Sequence, residues 1–226
     1  MVRVVKAHQE RKSEILNTAQ MLFYKNGYES TSVADVIDAV NIAKGTFYHY
    51  FKSKRDLLDQ IIARVSQNID DIINKVLTKP EENAIVQINN VYQAIGEYKV
   101  QEKKVLIMMT RALYNENNII LRTKLSKRRI DIVAPRLSKV ITRGISEKLF
   151  NTGDPDHTSE LILNMGTPLS EKFAEYVLND QLNQETMNEY LSFCKSYEKA
   201  VEKVLGAPED SLNIFDLEII KEFFKA

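Results

Sequence analysis

Between Asn41 and Arg55 the chain reads NIAKGTFYHYFKSKR, which places Lys44, Lys52, Lys54 and Arg55 in one short segment without an Asp or Glu. Between the cations stand the Thr46 hydroxyl, the Tyr48 and Tyr50 phenols and the His49 imidazole. Short polar and basic side chains with phenols donate to phosphate oxygens and to base edges in a major groove. Phe47 and Phe51 read as apolar anchors that pack inward, so only one face of the segment has to be wet. Lys54 is set to open a helix, where a cation opposes the macrodipole at a cost of roughly some tenths of a kcal/mol. A phosphate oxygen at that helix end removes the conflict, and a lysine swung into solvent removes it equally well.

The elements that must position this segment are legible on either side. Ile15, Leu16, Ala19, Leu22 and Phe23 recur at helical spacing, and Gly27 follows where a left-handed cap is wanted. A first helix is therefore expected from His8 to Asn26. Ser32 stands three before Asp35 in a capping box, and Val33, Val36, Ile37 and Val40 line one face of a short second helix, Val33 to Ala39. Asn41 tolerates positive φ and predicts a tight turn. A third helix, Ala43 to Tyr50, follows, and a second capping box, Ser53 with Asp56, opens a fourth that runs from Lys54 to Leu77. Two short helices joined by such a turn make a helix-turn-helix. Ahead of it, Arg3, Lys6, Arg11 and Lys12 form a basic arm that either tracks phosphates or stays solvated.

Pro80 ends the fourth helix, and amphipathic stretches follow at Glu81 to Tyr98, Glu102 to Glu116, Asn118 to Leu149, Pro155 to Asn179, Gln184 to Leu205 and Phe215 to Phe224. Kinks or breaks are expected at Pro135 and at Gly166-Thr167-Pro168. The fold class is all-α with about ten helices: a three-helix head, residues 1–53, on a larger helical body, residues 54–226.

Composition narrows the function. Of 226 residues 44% are hydrophobic and only seven are Gly and five Pro, which suits a helical core and not a turn-dense sheet. Net charge is zero, but residues 1–64 carry an excess of three positive charges that the remainder offsets, so an anion-binding surface is local to the N-terminal quarter. One cysteine, Cys194, and three scattered histidines offer no disulfide and no metal-ligand spacing. The longest apolar run, Val105 to Met109, is too short to span a bilayer, so a cytoplasmic protein off the membrane is expected. No nucleophile–base pair, carboxylate dyad or phosphate loop is recognisable, so neither enzyme chemistry nor a cofactor is expected.

From Lys12 to Leu58 the chain resembles the DNA-binding domain of the tetracycline-repressor (TetR) family. The matching residues are Ile15-Leu16, Ala19, Leu22-Phe23, Gly27, Thr31, Asp35-Val36, Lys44-Gly45-Thr46-Phe47-Tyr48, Phe51, Ser53-Lys54 and Leu57. The chain departs from the family pattern at Asn41 for a usual Gly, Ala43 for a frequent Ser, Ile37 for a usual Ala and Tyr50 for a usual His. The resemblance implies a homodimer on near-palindromic double-stranded operator DNA, repressing until a small-molecule effector moves the heads apart. Lys44, Gly45 and Tyr48 would then approach bases or sugars, Thr46, His49, Tyr50 and Lys54 would hold phosphates, and Ser32 joins the candidate set. In a second reading of the same fold, a protein partner controls the DNA-bound chain and no inducer exists.

The resemblance places an effector cavity near Tyr92, Met108, Met109, Arg111 and Tyr114, where Met with Tyr suits an adaptable pocket; such residues serve plain cores equally well. It also implies that Leu161, Met165, Leu169 and Phe173 of one stretch and Leu191, Cys194 and Val201 of another close a four-helix bundle between two copies. The alternative is that both stripes face their own body's core. Lys124, Lys127, Arg128 and Arg129 read as a solvated helix face.

Overall fold

The computed structural model describes residues 2–78 and 82–225, with the backbone alone at residues 2–7, 65 and 66. Pro80 and the side chains of Arg3 and Lys6 lie outside the described residues. The described elements are helical: α1 (Val2–Asn26), α2 (Val33–Val40), α3 (Lys44–Tyr50), α4 (Lys54–Val76), α5 (Ala84–Gln101), α6 (Lys103–Leu113), a 3-10 turn (Glu116–Asn118), α7 (Ile119–Ser146), α8 (Pro155–Met165), α9 (Thr167–Leu178), α10 (Gln184–Leu205) and α11 (Leu217–Phe224). They pack as two units. One runs through Gln67 and includes Met109–Arg128; the other holds Asn68–Met108 and the chain from Arg129 onward.

The first unit extends beyond Ser53 because its core does. Ile15, Leu16, Ala19 and Phe23 of α1, Val36 and Val40 of α2, Phe47 and Phe51 pack with Leu57, Leu58, Ile61 and Ile62 of α4 and with Leu121 of α7. Asn118, fully buried, ties the segment before α7 to the end of α1. Its carboxamide oxygen accepts the Tyr28 N–H at 2.7 Å, and its nitrogen donates to the Phe23 and Ala112 carbonyls at 2.9 and 3.0 Å. Those carbonyls lie in the last turns of α1 and α6, where they also accept the Gly27 and Asn115 N–H groups at 3.0 and 3.2 Å. Gly27 follows α1 with φ +91°, the left-handed cap expected of it.

In the second unit α10 is the central helix. Its Met187, Cys194, Tyr197, Val201 and Leu205 are buried with Ile162 of α8, Leu169 and Tyr176 of α9 and Ile220, Phe223 and Phe224 of α11. Two α10 carboxylates hold the connection to α11: Glu202 accepts the Leu212 N–H at 2.9 Å, and Glu198 accepts the Ile214 N–H at 2.6 Å. Asp216 then caps α11 by accepting from Glu218 and Ile219, so that helix begins at Leu217 and not at Phe215.

The two expected breaks come out differently. Pro135 sits inside an uninterrupted α7, where the Arg136 guanidinium donates to the Ile132 carbonyl at 2.6 Å in the turn that Pro135 deprives of an N–H. At Gly166 the chain does break, with Pro168 in the first turn of α9.

Candidate nucleic-acid interface

The helix-turn-helix is fixed by local polar contacts at both ends and by aromatic packing beneath. Ser32 accepts the Asp35 N–H at 3.1 Å while the Asp35 carboxylate accepts the Ser32 N–H at 2.6 Å. The backbone bond at Ser32, then its hydroxyl, hold the Asp35 carboxyl below the usual aspartate range. Asn41 closes α2 in the left-handed region, φ 54° and ψ 55°. Ala43 opens α3 without a side-chain cap, as its apolar side chain requires. The Ser53 box is shifted by one residue. Asp56 N–H meets the Ser53 hydroxyl at 3.0 Å, but the Asp56 carboxylate accepts from Lys52 N–H at 2.8 Å instead of from Ser53.

Phe47 and Phe51 are fully buried with ring centroids 5.6 Å apart, which turns the other side of α3 outward. Ser32, Lys44, Gly45, Tyr48 and His49 are exposed, while Thr46 and Tyr50 are half-buried. The Tyr50 ring lies 4.6 Å from His8 and 5.1 Å from His49, so an aromatic group from α1 supports the end of α3. Periodicity had begun the first helix at His8 itself; the helix starts at Val2.

Lys54 has partners of its own. Its Nζ donates to the Glu29 carbonyl at 3.2 Å and lies 4.3 Å over the Tyr28 ring. The cation therefore folds back on the turn between α1 and α2 instead of swinging away into solvent. An ammonium has three donors, and two of them remain for an outside acceptor.

The expected effector residues are divided between the two units. Tyr92 and Met108 belong to the second unit, whereas Met109, Arg111 and Tyr114 belong to the first. Met108 and Arg111 are exposed, and the Tyr114 ring packs under the Arg122 guanidinium at 4.7 Å. Tyr92 and Met109 are half-buried, and desolvation raises the Tyr92 phenol above its ordinary value. Tyr197 donates to the Ile162 carbonyl at 3.0 Å.

The bundle residues also divide. Leu169, Cys194 and Val201 lie in this chain's own core, which removes them from any surface a second copy could cover. Burial pushes the Cys194 thiol up to about 12. Met165, Phe173 and Leu191 are half-buried against that core, and Leu161 is 59% exposed. Phe193, 39% exposed on α10, is an outward apolar group that the stripe reading missed.

Nor is the basic run of α7 one solvated face. Lys124 bonds Asp59 of α4 at 2.5 Å, and Lys127 and Arg128 are exposed. Arg129 instead turns inward, with Nη2 on the Leu163 carbonyl at 3.4 Å and Nε buried without a partner.

A profile of bacterial regulatory proteins of the tetR family matches residues 15–61, the stretch that builds the core of the head and carries α3. The Transposon Tn10 TetC protein of Escherichia coli is 24% identical over 163 residues, which covers 70% of this chain and 79% of that protein. The HTH-type transcriptional repressor KstR2 of Rhodococcus jostii (strain RHA1) is 37% identical over 65 residues, 29% of this chain and 30% of the repressor. That match is confined to less than a third of either protein. A solved bacterial regulatory protein in the tetR family from Rhodococcus RHA1 aligns with a TM-score of 0.57 at 17% identity, over 88% of this chain and 98% of that one. Fold and head together define a transcription regulator with a DNA-binding helix-turn-helix. Residues 15–61 match the tetR family of bacterial regulatory proteins, and the chain shares the fold of a solved member of that family.

Proposed function

We propose that the chain is a repressor that grips near-palindromic operator DNA as a homodimer and lets go when a small molecule binds its helical body. The observation that carries the DNA half is the outward face of α3, where Lys44, Gly45, Tyr48 and His49 are exposed above buried Phe47 and Phe51. Lys44, Gly45 and Tyr48 approach bases or sugars in the major groove. Ser32, Thr46, His49, Tyr50 and the two spare donors of Lys54 hold phosphates. Two heads placed about 34–36 Å apart fit successive major grooves, and an effector that favours another spacing releases the DNA.

Fluorescence anisotropy on DNA from the promoter beside the coding gene tests the head. Lys44→Ala and Tyr48→Ala should each weaken binding by roughly 1–3 kcal/mol if they meet bases. Lys44→Ala should also lower the slope of log affinity against log salt by about 1, and Tyr48→Ala should leave it unchanged. Unaltered binding in both variants overturns the reading.

A further inference from the structure

The place of the Lys54 ammonium is set by residues remote from it in sequence. It lies 4.3 Å over the Tyr28 ring and donates to the Glu29 carbonyl at 3.2 Å. Both partners belong to the turn between α1 and α2, so the stance of that turn decides where the cation stands. The turn is gripped in its own right by the segment before α7. Fully buried Asn118 accepts the Tyr28 N–H at 2.7 Å across 90 positions of chain, and it donates to the Phe23 carbonyl at 2.9 Å. Its neighbour Asn117 closes on Gly27 so tightly that a Cβ there would collide with the Asn117 side chain. The Tyr28 ring rests edge-on against Phe23 with centroids 5.1 Å apart, and the Thr31 N–H meets the Tyr28 carbonyl at 3.3 Å. Every member of this chain of contacts lies in the first unit.

The arrangement holds a charge without neutralising it. Among the described residues no carboxylate pairs with the Lys54 ammonium, which touches only a ring face and one carbonyl. A ring face attracts a cation but offers no lone pair to its N–H groups. The net positive charge and the spare donors are therefore left for an anion. A lysine free in solvent loses most of its rotamer freedom when it meets a phosphate, whereas one already held in place loses little.

We propose that Asn118 and Tyr28 are positioning residues for DNA: Asn118 fixes the turn, Tyr28 carries the Lys54 ammonium on its ring, and the ammonium meets a backbone phosphate already oriented. Neither positioning residue has to touch the duplex. The inference rests on the reading of Lys54 as a phosphate contact.

Fluorescence anisotropy of the full chain on promoter DNA, repeated over a range of salt, tests it through double-variant cycles. Lys54→Met should lower the slope of log affinity against log salt by about 1. Tyr28→Leu keeps an apolar side chain against Phe23 and should weaken binding by roughly threefold to tenfold, with a loss that shrinks as salt rises. Tyr28→Phe keeps the ring and should bind as the parent does. Asn118→Ala, compared at a temperature where its circular dichroism matches the parent's, should follow Tyr28→Leu; where it does not fold, Tyr28→Leu alone decides. In the Lys54→Met background both changes should have no further effect, because the group they place is gone.

A general loosening of the head would cost as much without Lys54 as with it, and that additive outcome overturns the proposal. Parent-like binding by Tyr28→Leu overturns it too, as does a Tyr28→Phe that binds no better than Tyr28→Leu. If Lys54→Met keeps the parent's affinity and salt slope, Lys54 leaves the phosphate set and the inference falls with it. Additive cycles beside weakened Lys44→Ala and Tyr48→Ala would sink the positioning role and leave the operator reading standing. A parent chain that binds no duplex would sink both.

Discussion

Asn118 holds Tyr28 across the head: its carboxamide oxygen accepts the Tyr28 N–H at 2.7 Å, although the two residues are 90 positions apart. The same side chain closes the Phe23 and Ala112 carbonyls, so one buried amide satisfies three backbone groups. Removing it strands the part-buried Tyr28 N–H and takes a second bond from two carbonyls that still accept the Gly27 and Asn115 N–H groups.

Asn118→Ala should therefore destabilise the head by about 2–3 kcal/mol. Asn118→Asp should be worse, because a carboxylate cannot donate to either carbonyl and brings a buried charge. Urea unfolding followed by circular dichroism reads both. A midpoint equal to the parent's in Asn118→Ala would show that the amide contributes nothing.

Gly27 and Asn41 both sit at positive φ, but they should respond oppositely to substitution. A Cβ at Gly27 would run into the Asn117 side chain, on top of the strain of φ +91°. Gly27→Ala should cost about 1–3 kcal/mol. Asn41→Gly relieves the turn of a Cβ and should change stability by no more than about 0.5 kcal/mol in either direction. Equal losses in the two variants would refute this account of the turns.

Leu161 and Phe193 are the apolar groups of α8 and α10 that stand clear of the core, at 59% and 39% exposure. If two copies associate through these helices, Leu161→Glu with Phe193→Glu should move the chain toward monomer in analytical ultracentrifugation, at unchanged helicity. Cys194→Ser, deep in the core, should instead lower thermal stability and leave association alone. An unchanged sedimentation coefficient in the double variant would relocate the interface.

Lys99 gives a pH dependence of known sign. Its folded-state pKa lies below the ordinary 10.5, so between those two values the unfolded chain binds the extra proton. Stability should then rise with pH through that window, and the gain should saturate at about 10.5. The phenols of the chain titrate nearby, so the quantity to follow is the difference between the parent and Lys99→Met. The variant should be the more stable at neutral pH, and the difference should shrink as pH rises. A difference that is flat from pH 7 to 11 would mean that Lys99 is not desolvated.

The head was legible because each of its decisions is local. A capping box, a glycine after the last apolar turn, an asparagine at a tight bend and two phenylalanines four apart each signal the same structure independently. Lys54 escaped that logic, since its partners Glu29 and Tyr28 lie in a turn some 25 residues earlier and only the folded head brings them near. In the body, periodicity shows which face of a helix is apolar but not what covers it. That is why Leu169, Cys194 and Val201 were assigned to a second copy when their own core takes them. The α7 cations show the same limit in reverse. Lys127 and Arg129 project about 200° apart on a helix, so a run that looks uniformly basic along the chain splits between solvent and interior.

The two turns of α3 are finished before any duplex arrives. Seven residues without a side-chain cap would not stay helical alone, and here Phe47, Phe51 and the Tyr50–His8 stack keep them in shape. Docking therefore asks for little ordering of the protein. Discrimination between one base sequence and another then falls on complementarity of a rigid relief, and a poor sequence cannot be rescued by the helix adapting to it.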